Sequence, residues 1–306
     1  MKIAIIGGIN IDIEGAPYKE IKYHDSNPGK IRLSYGGVGR NIAENVARLG
    51  GDCAMISCVG SEPMSLGAKD HLAAMGVDVS HVRVLEGETP SMYLSILDEK
   101  GDMELAVSDM DIINRITPEY IDEIRHFIEK ASVVALDGNL TEEILEHATA
   151  VLRGTKLFYD PVSANKGVRA KNFAGRFFAV KPNKLEAETM LDMKIGSEED
   201  VIAAGRRFME LGVSQVFITL GEDGVFFMES GDEGFIRPAE GIKIKSATGA
   251  GDSFSACILL GMSMGMNARK IAEMGMAAAR ITMESQNAVS EELTIELIKE
   301  LLNKEI

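Results

Sequence analysis

Ser246-Ala247-Thr248-Gly249-Ala250-Gly251-Asp252-Ser253-Phe254 is the stretch that bears most directly on the fold. Its small residues lead straight into a segment, 253–264, with helical spacing of apolar side chains. Free backbone N–H groups at a helix N-terminus, aided by the helix dipole, form an anion site. Because small side chains let a ligand approach the backbone closely, we predict an anion-binding turn at 249–251.

Asp252 lies at the mouth of this predicted turn. Its carboxylate could accept a proton from an attacking hydroxyl while the N–H groups of Gly249, Ala250 and Gly251 stabilise a transferring phosphoryl group. The helix dipole is expected to keep the carboxylate ionised at neutral pH. The alternative is that Asp252 is only the N-cap of the helix, a common role for aspartate.

Outward from this stretch, strand-like and helix-like segments alternate along the chain. Short apolar runs predict strands at 2–6, 53–59, 133–136, 157–159, 177–180, 215–219, 225–227 and 234–236. Helical spacing predicts helices at 38–49, 64–75, 118–128, 142–152, 201–211, 253–264, 268–283 and 291–302. The alternation indicates an α/β fold, a doubly wound and mostly parallel sheet with helices on both faces.

Two regions, about 11–35 and 91–108, are extended and contain few helical signals. Glu99-Lys100-Gly101-Asp102 within the second region is typical of a hairpin turn. We expect these regions to form a small β-sheet lid on a single domain, 1–306.

A second glycine pair, Gly36-Gly37, precedes the predicted helix at 38–49. Asn41 falls off the apolar face of that helix and could present its amide to a ligand, although a simple glycine turn is the alternative. No Gly-Lys-Ser/Thr follows the pair, so it is not a Walker A loop. Gly7-Gly8 after the first predicted strand lacks the Rossmann spacing, which argues against a dinucleotide-dependent oxidoreductase.

A third motif, Asn183 and Glu186, follows a predicted strand and Pro182. An amide and a carboxylate three residues apart could hold Mg²⁺, mostly through water. The alternative is a capping box in which Asn183 is the helix N-cap.

Composition limits the class of partner. The 306 residues carry 47 acidic against 32 basic side chains, for a net charge of −15, which argues against nucleic-acid and anionic-membrane partners. The three cysteines form no disulfide pattern, and the N-terminal apolar run is too short for a signal segment, so we expect a cytoplasmic protein.

Together the three motifs resemble those of the ribokinase-like (PfkB) family of sugar and nucleoside kinases, over essentially the whole chain. Several local segments resemble the pseudouridine branch of that family: 25–30, 36–45, 108–111, 160–164 and 181–183. The resemblance implies that Asp252 is the base for a 5′-hydroxyl and that Gly249, Ala250 and Gly251 form the anion hole.

The resemblance also implies roles for other residues. The residues implied to bind the ribose of the substrate are Asn10, Asp12, Gly36, Gly37 and Asn41. The residues on the lid side implied to contact the base are Ser26, Asn27 and Asp109. The residues implied to bind the nucleotide are Asn183, Thr219, Gly221, Gly224, Thr248, Ala278 and Asn287, and the implied metal ligands are Asn183 and Glu186.

The implied cofactors are ATP and Mg²⁺, and the implied partner is a small nucleoside or sugar, in a homodimer formed through the lid. Many family members have an acidic residue where this chain has Ser246, which weakens the expectation of activation by a monovalent cation. Two alternatives stay open: another sugar or nucleoside kinase of the family, and a non-catalytic nucleoside-binding protein.

Overall fold

A computed structural model describes residues 2–239 and 241–303. Its strands are β1 Ile3–Ile6, β2 Asn10–Pro17, β3 Gly29–Gly36, β4 Cys53–Gly60, β5 Asp78–Leu85, β6 Met92–Leu97, β7 Met103–Asp109, β8 Val133–Asp137, β9 Lys156–Asp160, β10 Ala179–Val180, β11 Gln215–Thr219, β12 Val225–Glu229 and β13 Asp232–Ile236. Its α-helices are α1 Val38–Arg48, α2 Pro63–Ala74, α3 Pro118–Ile128, α4 Glu142–Val151, α5 Ala164–Gly167, α6 Lys184–Leu191, α7 Glu198–Leu211, α8 Ala250–Met264, α9 Ala268–Met283 and α10 Ile295–Leu302.

The large sheet has the strand order β13-β12-β11-β10-β9-β8-β1-β4-β5. Neighbouring strands from β11 to β5 are parallel, and β12 and β13 add an antiparallel hairpin at one edge. The predicted doubly wound, mostly parallel sheet is confirmed.

Both faces of this sheet are covered because its strands are apolar on both sides. In β1, Ile3 and Ile5 pack into one buried cluster and Ala4 and Ile6 into the other. Helices α1, α8 and α9 supply the first cluster, and α3, α4 and α7 supply the second. Strands buried on both faces read as continuous hydrophobic runs, which is why the sequence predicted them well.

The second sheet has four strands in the order β3-β2-β6-β7. Its register aligns Asp12 with Ser34 and Tyr93 on one face, and Ile13 with Leu33 and Leu94 on the other. One face of this small sheet is therefore polar and the other apolar. The predicted lid segments, 11–35 and 91–108, correspond to these strands.

Several boundaries differ from the prediction. The strand expected at 177–180 is only Ala179–Val180, and β5 was not predicted because its polar and apolar residues alternate without a strong turn signal. Helix α10 begins at Ile295 rather than 291, since the Thr294 side chain caps it by accepting a hydrogen bond from Leu297 N–H at 3.2 Å.

Within 2–239 and 241–303, no helix is long and apolar enough to span a membrane.

Candidate active site

Charged and polar residues gather where the central parallel strands end. Asp137 ends β8, Asp160 ends β9, Lys181 directly follows β10, and Asn183 bridges Thr219 at the end of β11. In open α/β sheets, ligands bind in the crevice outside these carboxyl ends. This edge of the sheet is therefore the candidate site.

Asp137 joins the glycine-rich turns at this edge. One of its carboxylate oxygens accepts hydrogen bonds from Gly8 N–H and Gly39 N–H, both at 3.0 Å. Gly37 is required sterically, because its φ is 94° and a Cβ there would lie 2.5 Å from the Gly8 carbonyl oxygen, whereas a Cβ at Gly36 would meet the movable carboxyl group of Asp12, 2.0 Å from Oδ2. The turn before α1 thus brings backbone and acidic side chains into contact.

Asn41 and Asp252 meet across this edge, although they are far apart in sequence. Asn41 Nδ2 donates to Asp252 Oδ2 at 2.7 Å. Asp252 lies in the first turn of α8, whose N-cap is Gly249, and makes no capping hydrogen bond. The interpretation of Asp252 as the N-cap is therefore wrong.

The electrostatic environment of Asp252 differs from the expectation. Burial, and next the nearby Asp160 carboxylate, raise the pKa of Asp252 to about 7, while Asn41, Lys181 and Arg40 oppose the rise. The helix dipole favours the ionised form, whereas burial opposes ionisation, so the carboxylate is partly ionised at neutral pH. A pKa close to the working pH suits a general base.

The turn at the start of α8 leaves little room for a side chain at Gly249, and its role as an anion site stays a prediction. Gly249 is left-handed, with φ of 83°, and a Cβ there would lie 1.8 Å from the carbonyl oxygen of Ala288. The first N–H groups of a helix have no intrahelical acceptors. A Cβ at Gly251 would lie 3.4 Å from Lys181 Nζ, so a cation borders the same turn.

Lys181 and Asp160 form a buried ion pair that the sequence motifs did not assign to the site. Lys181 Nζ lies 3.2 Å from Asp160 Oδ2, which also accepts a hydrogen bond from Ser255 Oγ at 2.7 Å. Despite burial, the carboxylates of Asp160, Glu186 and Asp252 hold the pKa of Lys181 above its usual range. The signal in the sequence was a charged residue directly after a buried parallel strand.

Asn183 and Glu186 form the capping box that was the alternative to a metal site. Asn183 Oδ1 accepts from Glu186 N–H at 2.9 Å, and Glu186 Oε2 accepts from Asn183 N–H at 2.8 Å. Over the described ranges, no group of three or more His, Cys, Asp or Glu is arranged to hold a metal ion. A carboxylate and an amide oxygen still suit Mg²⁺ bound mainly by water and phosphate, so their metal role stays a prediction.

A cavity of about 610 Å³ lies beside the polar face of the small sheet. Its wall includes Asp12, Arg40, Tyr93, Ser246, Thr248 and Asn287. Burial raises the pKa of Asp12 to about 6, although the Arg40 charge opposes the rise. Asn10 is buried nearby, and its Oδ1 accepts a hydrogen bond from Ser91 Oγ at 2.8 Å.

Three predicted lid-side residues lie away from this cavity. Ser26, Asn27 and Asp109 are exposed. Asn27 is occupied within its own loop, because its Oδ1 accepts from Lys22 N–H at 2.8 Å and its Nδ2 donates to backbone carbonyls. In this conformation the structure does not bring these residues to Asp12, and their role stays a prediction.

The nucleotide-side residues lie in more than one place: Asn183 bridges Thr219, while Thr248 and Asn287 line the cavity. Gly224 has φ of 92°, and a Cβ there would lie 2.1 Å from the Ile236 carbonyl oxygen; Gly221 has φ of 63°. Ala278 is fully buried in α9, and Asn287 Oδ1 accepts a hydrogen bond from Arg32 of β3. The positions of Ala278 and Asn287 therefore do not support the prediction that their side chains line an adenine pocket.

Comparison with known proteins assigns the family. Residues 1–295 match the model of the pfkB family of carbohydrate kinases. The chain is 38% identical to the pseudouridine kinase of Escherichia coli, over 83% of this chain and 81% of that protein. It is 28% identical to the guanosine-inosine kinase of Exiguobacterium acetylicum, over 95% and 98%.

A solved carbohydrate kinase from Agrobacterium tumefaciens is similar in structure, with a TM-score of 0.86, 25% identity and coverage of 99% of this chain and 97% of that one. The chain belongs to the pfkB family of carbohydrate kinases, and it is a sugar or nucleoside kinase.

Proposed function

We propose that this member of the pfkB family transfers the γ-phosphoryl group of ATP to the 5′-hydroxyl of pseudouridine. One observation carries the proposal: the Asp252 carboxylate, held by Asn41 at 2.7 Å, stands in the first turn of α8 beside a glycine-built anion site. A base and an anion site side by side are what phosphoryl transfer to a hydroxyl requires.

In this reaction the 5′-oxygen forms a bond to the γ-phosphorus as the bond to the ADP oxygen breaks. The hydroxyl proton passes to Asp252, whose pKa of about 7 leaves it partly ionised at neutral pH. The N–H groups at 249–251 and the Lys181 ammonium group balance the charge of the transferred group. Mg²⁺ near Glu186 would offset the charge of the ATP phosphates when bound.

A nucleoside acceptor suits the cavity because its wall combines apolar side chains, such as Tyr93 and Leu97, with hydrogen-bonding groups, such as Asp12. Asp12 can accept hydrogen bonds from two neighbouring ribose hydroxyls, since a carboxylate offers two oxygens. The preference for pseudouridine rests on the 38% identity to the pseudouridine kinase of Escherichia coli. The relative that acts on guanosine and inosine makes another nucleoside the second candidate.

A panel of acceptors tests the proposed substrate. We expect ADP release with pseudouridine to exceed that with uridine, guanosine, inosine, ribose and fructose, each at the same concentration, with Asp252→Asn as the inactive control. Faster turnover of any other acceptor would replace pseudouridine in the proposal. Binding of pseudouridine without ADP release would instead indicate a non-catalytic binding protein.

We further propose that two copies associate through the apolar face of the small sheet. This face exposes large apolar side chains on its strands: Ile31, Leu33, Leu94, Leu105 and Val107. Exposed apolar patches of this kind are typical of interaction surfaces. We expect Leu105→Lys to convert a dimer into a monomer in light scattering, whereas Leu211→Lys, an exposed change on α7, leaves it intact; a monomeric wild type would refute the pairing.

A cytoplasmic location is part of the proposal. It is consistent with the need for ATP and with cysteines that form no disulfide bond. Cys53, Cys58 and Cys257 are free and buried. Microscopy of a fluorescent fusion in the source cell would test the location, and a membrane or extracellular signal would contradict it.

A further inference from the structure

Arg40 is a buried cation that the proposed reaction does not yet use. Its side chain is 5% exposed, and burial lowers the pKa of its guanidinium. Its Nη1 donates to Glu44 Oε2 at 2.6 Å, while Nε has no hydrogen-bond partner among the residues that the structure describes. A buried arginine with an unpaired donor is costly to keep, which points to a role for its remaining contacts.

The second guanidinium nitrogen contacts the residue that holds the proposed base. Arg40 Nη2 donates to Asn41 Oδ1, and Asn41 Nδ2 donates in turn to Asp252 Oδ2 at 2.7 Å. The two ends of an amide are not equivalent, because the oxygen only accepts and the nitrogen only donates. A rotated Asn41 amide would place its oxygen against the carboxylate and its NH₂ group against the guanidinium, and both contacts would be repulsive.

We propose that Arg40 is a positioning residue for Asp252, because it holds the Asn41 amide in the orientation that donates to the carboxylate. The inference rests on the proposed function only in that Asp252 is named as the base. The hydrogen-bonded chain from Glu44 through Arg40 and Asn41 to Asp252 exists in the structure whatever the acceptor is.

Charge reinforces this orientation. The charged groups that face Asp252 are Asp160, Lys181 and Arg40. Of these, Asp160 favours the protonated form of Asp252, while the two cations favour the carboxylate. Removal of Arg40 would therefore remove both a cation near the carboxylate and the lock on the Asn41 amide, and each loss favours the protonated acid.

Arg48 offers a matched control. It also binds Glu44, with Nη2 to Oε1 at 2.8 Å, and it lies on the same helix. Unlike Arg40, it is not among the groups with the largest effect on the pKa of Asp252. Arg48→Gln thus removes a cation from the same acidic partner without touching the Asn41 amide.

The test is a ¹³C-NMR titration of labelled aspartate carboxyls without substrate, with the Asp252 signal assigned by its loss in Asp252→Asn. We expect Arg40→Gln to raise the Asp252 titration midpoint by about one pH unit or more. Arg48→Gln should leave the midpoint unchanged. An unchanged midpoint in folded Arg40→Gln, checked by circular dichroism, would overturn the proposal.

Arg40→Lys keeps the charge but loses the planar fork, and it provides a second test if Arg40→Gln does not fold. We expect a midpoint close to that of the wild type together with kcat lowered at every pH, because the amide is no longer oriented. Wild-type kcat in Arg40→Lys would overturn the orienting role. Absence of turnover in the wild type would refute the proposed function, whereas the titration would still decide the role of Arg40.

Discussion

Gly249→Ala is the substitution that tests the anion turn most sharply. The new Cβ would lie 1.8 Å from the Ala288 carbonyl oxygen, in a residue whose φ is 83°. Since carbon–oxygen contacts settle near about 3.3 Å, one of the two segments must move by more than about 1 Å. The N–H groups at 249–251 move with it.

The expected magnitude has a conformational part and a catalytic part. A left-handed alanine costs about 1 kcal/mol relative to glycine, and relief of the contact with Ala288 adds about 1–3 kcal/mol. Together these correspond to a fall of about 3–6 °C in Tm for a chain of this size. Loss of one oxyanion donor, or a misplacement of about 1 Å, lowers kcat on the order of 100-fold. We therefore expect the folded variant to lose kcat in addition to stability.

The assay is steady-state ADP release, with thermal unfolding measured on the same samples. Gly265→Ala is the matched control, because Gly265 ends the same helix with φ of 74° and a Cβ there would have no neighbouring atom within 4 Å. It should lose only the backbone part of the stability, about 1 kcal/mol, while keeping kcat. Wild-type kcat in Gly249→Ala, or an equal loss of kcat in the two variants, would refute the anion-turn assignment.

Four further results are expected. Because the pKa of Asp252 in the free protein is about 7, kcat/KM should be about fivefold lower at pH 6 than at pH 7, and a flat profile would contradict its role as base. Between about pH 4 and 7 the folded state, with its raised pKa, holds a proton on Asp252 that the unfolded state has lost. The contribution of Asp252 to the free energy of unfolding therefore falls as pH rises through that window. In urea unfolding, the difference in stability between wild type and Asp252→Asn should change over the same range. Asp160→Asn should lower the free energy of unfolding by about 3 kcal/mol, because it removes the ion-pair partner of the buried Lys181 ammonium group. An unchanged urea midpoint would contradict the buried pair. Native protein should resist iodoacetamide at pH 8, since burial raises the thiol pKa values to about 12, about 11 and about 12, and rapid alkylation would contradict the burial of Cys53, Cys58 and Cys257.

The sequence predicted the large sheet well because its signal is local. Strand β1 and helix α1 are read from apolar periodicity and glycine stops, which depend on near neighbours in the chain. Strand β5 alternates polar and apolar residues at the edge of the sheet, and its pairing with β4 is set by tertiary contacts.

The candidate site was predicted less completely because it depends on contacts between distant segments. The glycine motifs located Asp252 and Asn41 from their own surroundings. Asp160, Lys181 and Arg40 acquire their roles only when strand ends and α1 meet, and their pairing cannot be seen in a linear sequence. The capping box at Asn183 was an open alternative since both interpretations need the same two residue types.

The two-faced small sheet limits how its strands could change in length. Side chains along β3 alternate between the face that carries Ser34, aligned with Asp12, and the opposite face, which carries Leu33, aligned with Ile13. A one-residue deletion within this strand would exchange the faces, and apolar side chains would then replace polar ones beside Asp12. Substitutions in this strand can change the side chains of one face without affecting the other. An insertion or deletion inside the strand would change both faces together.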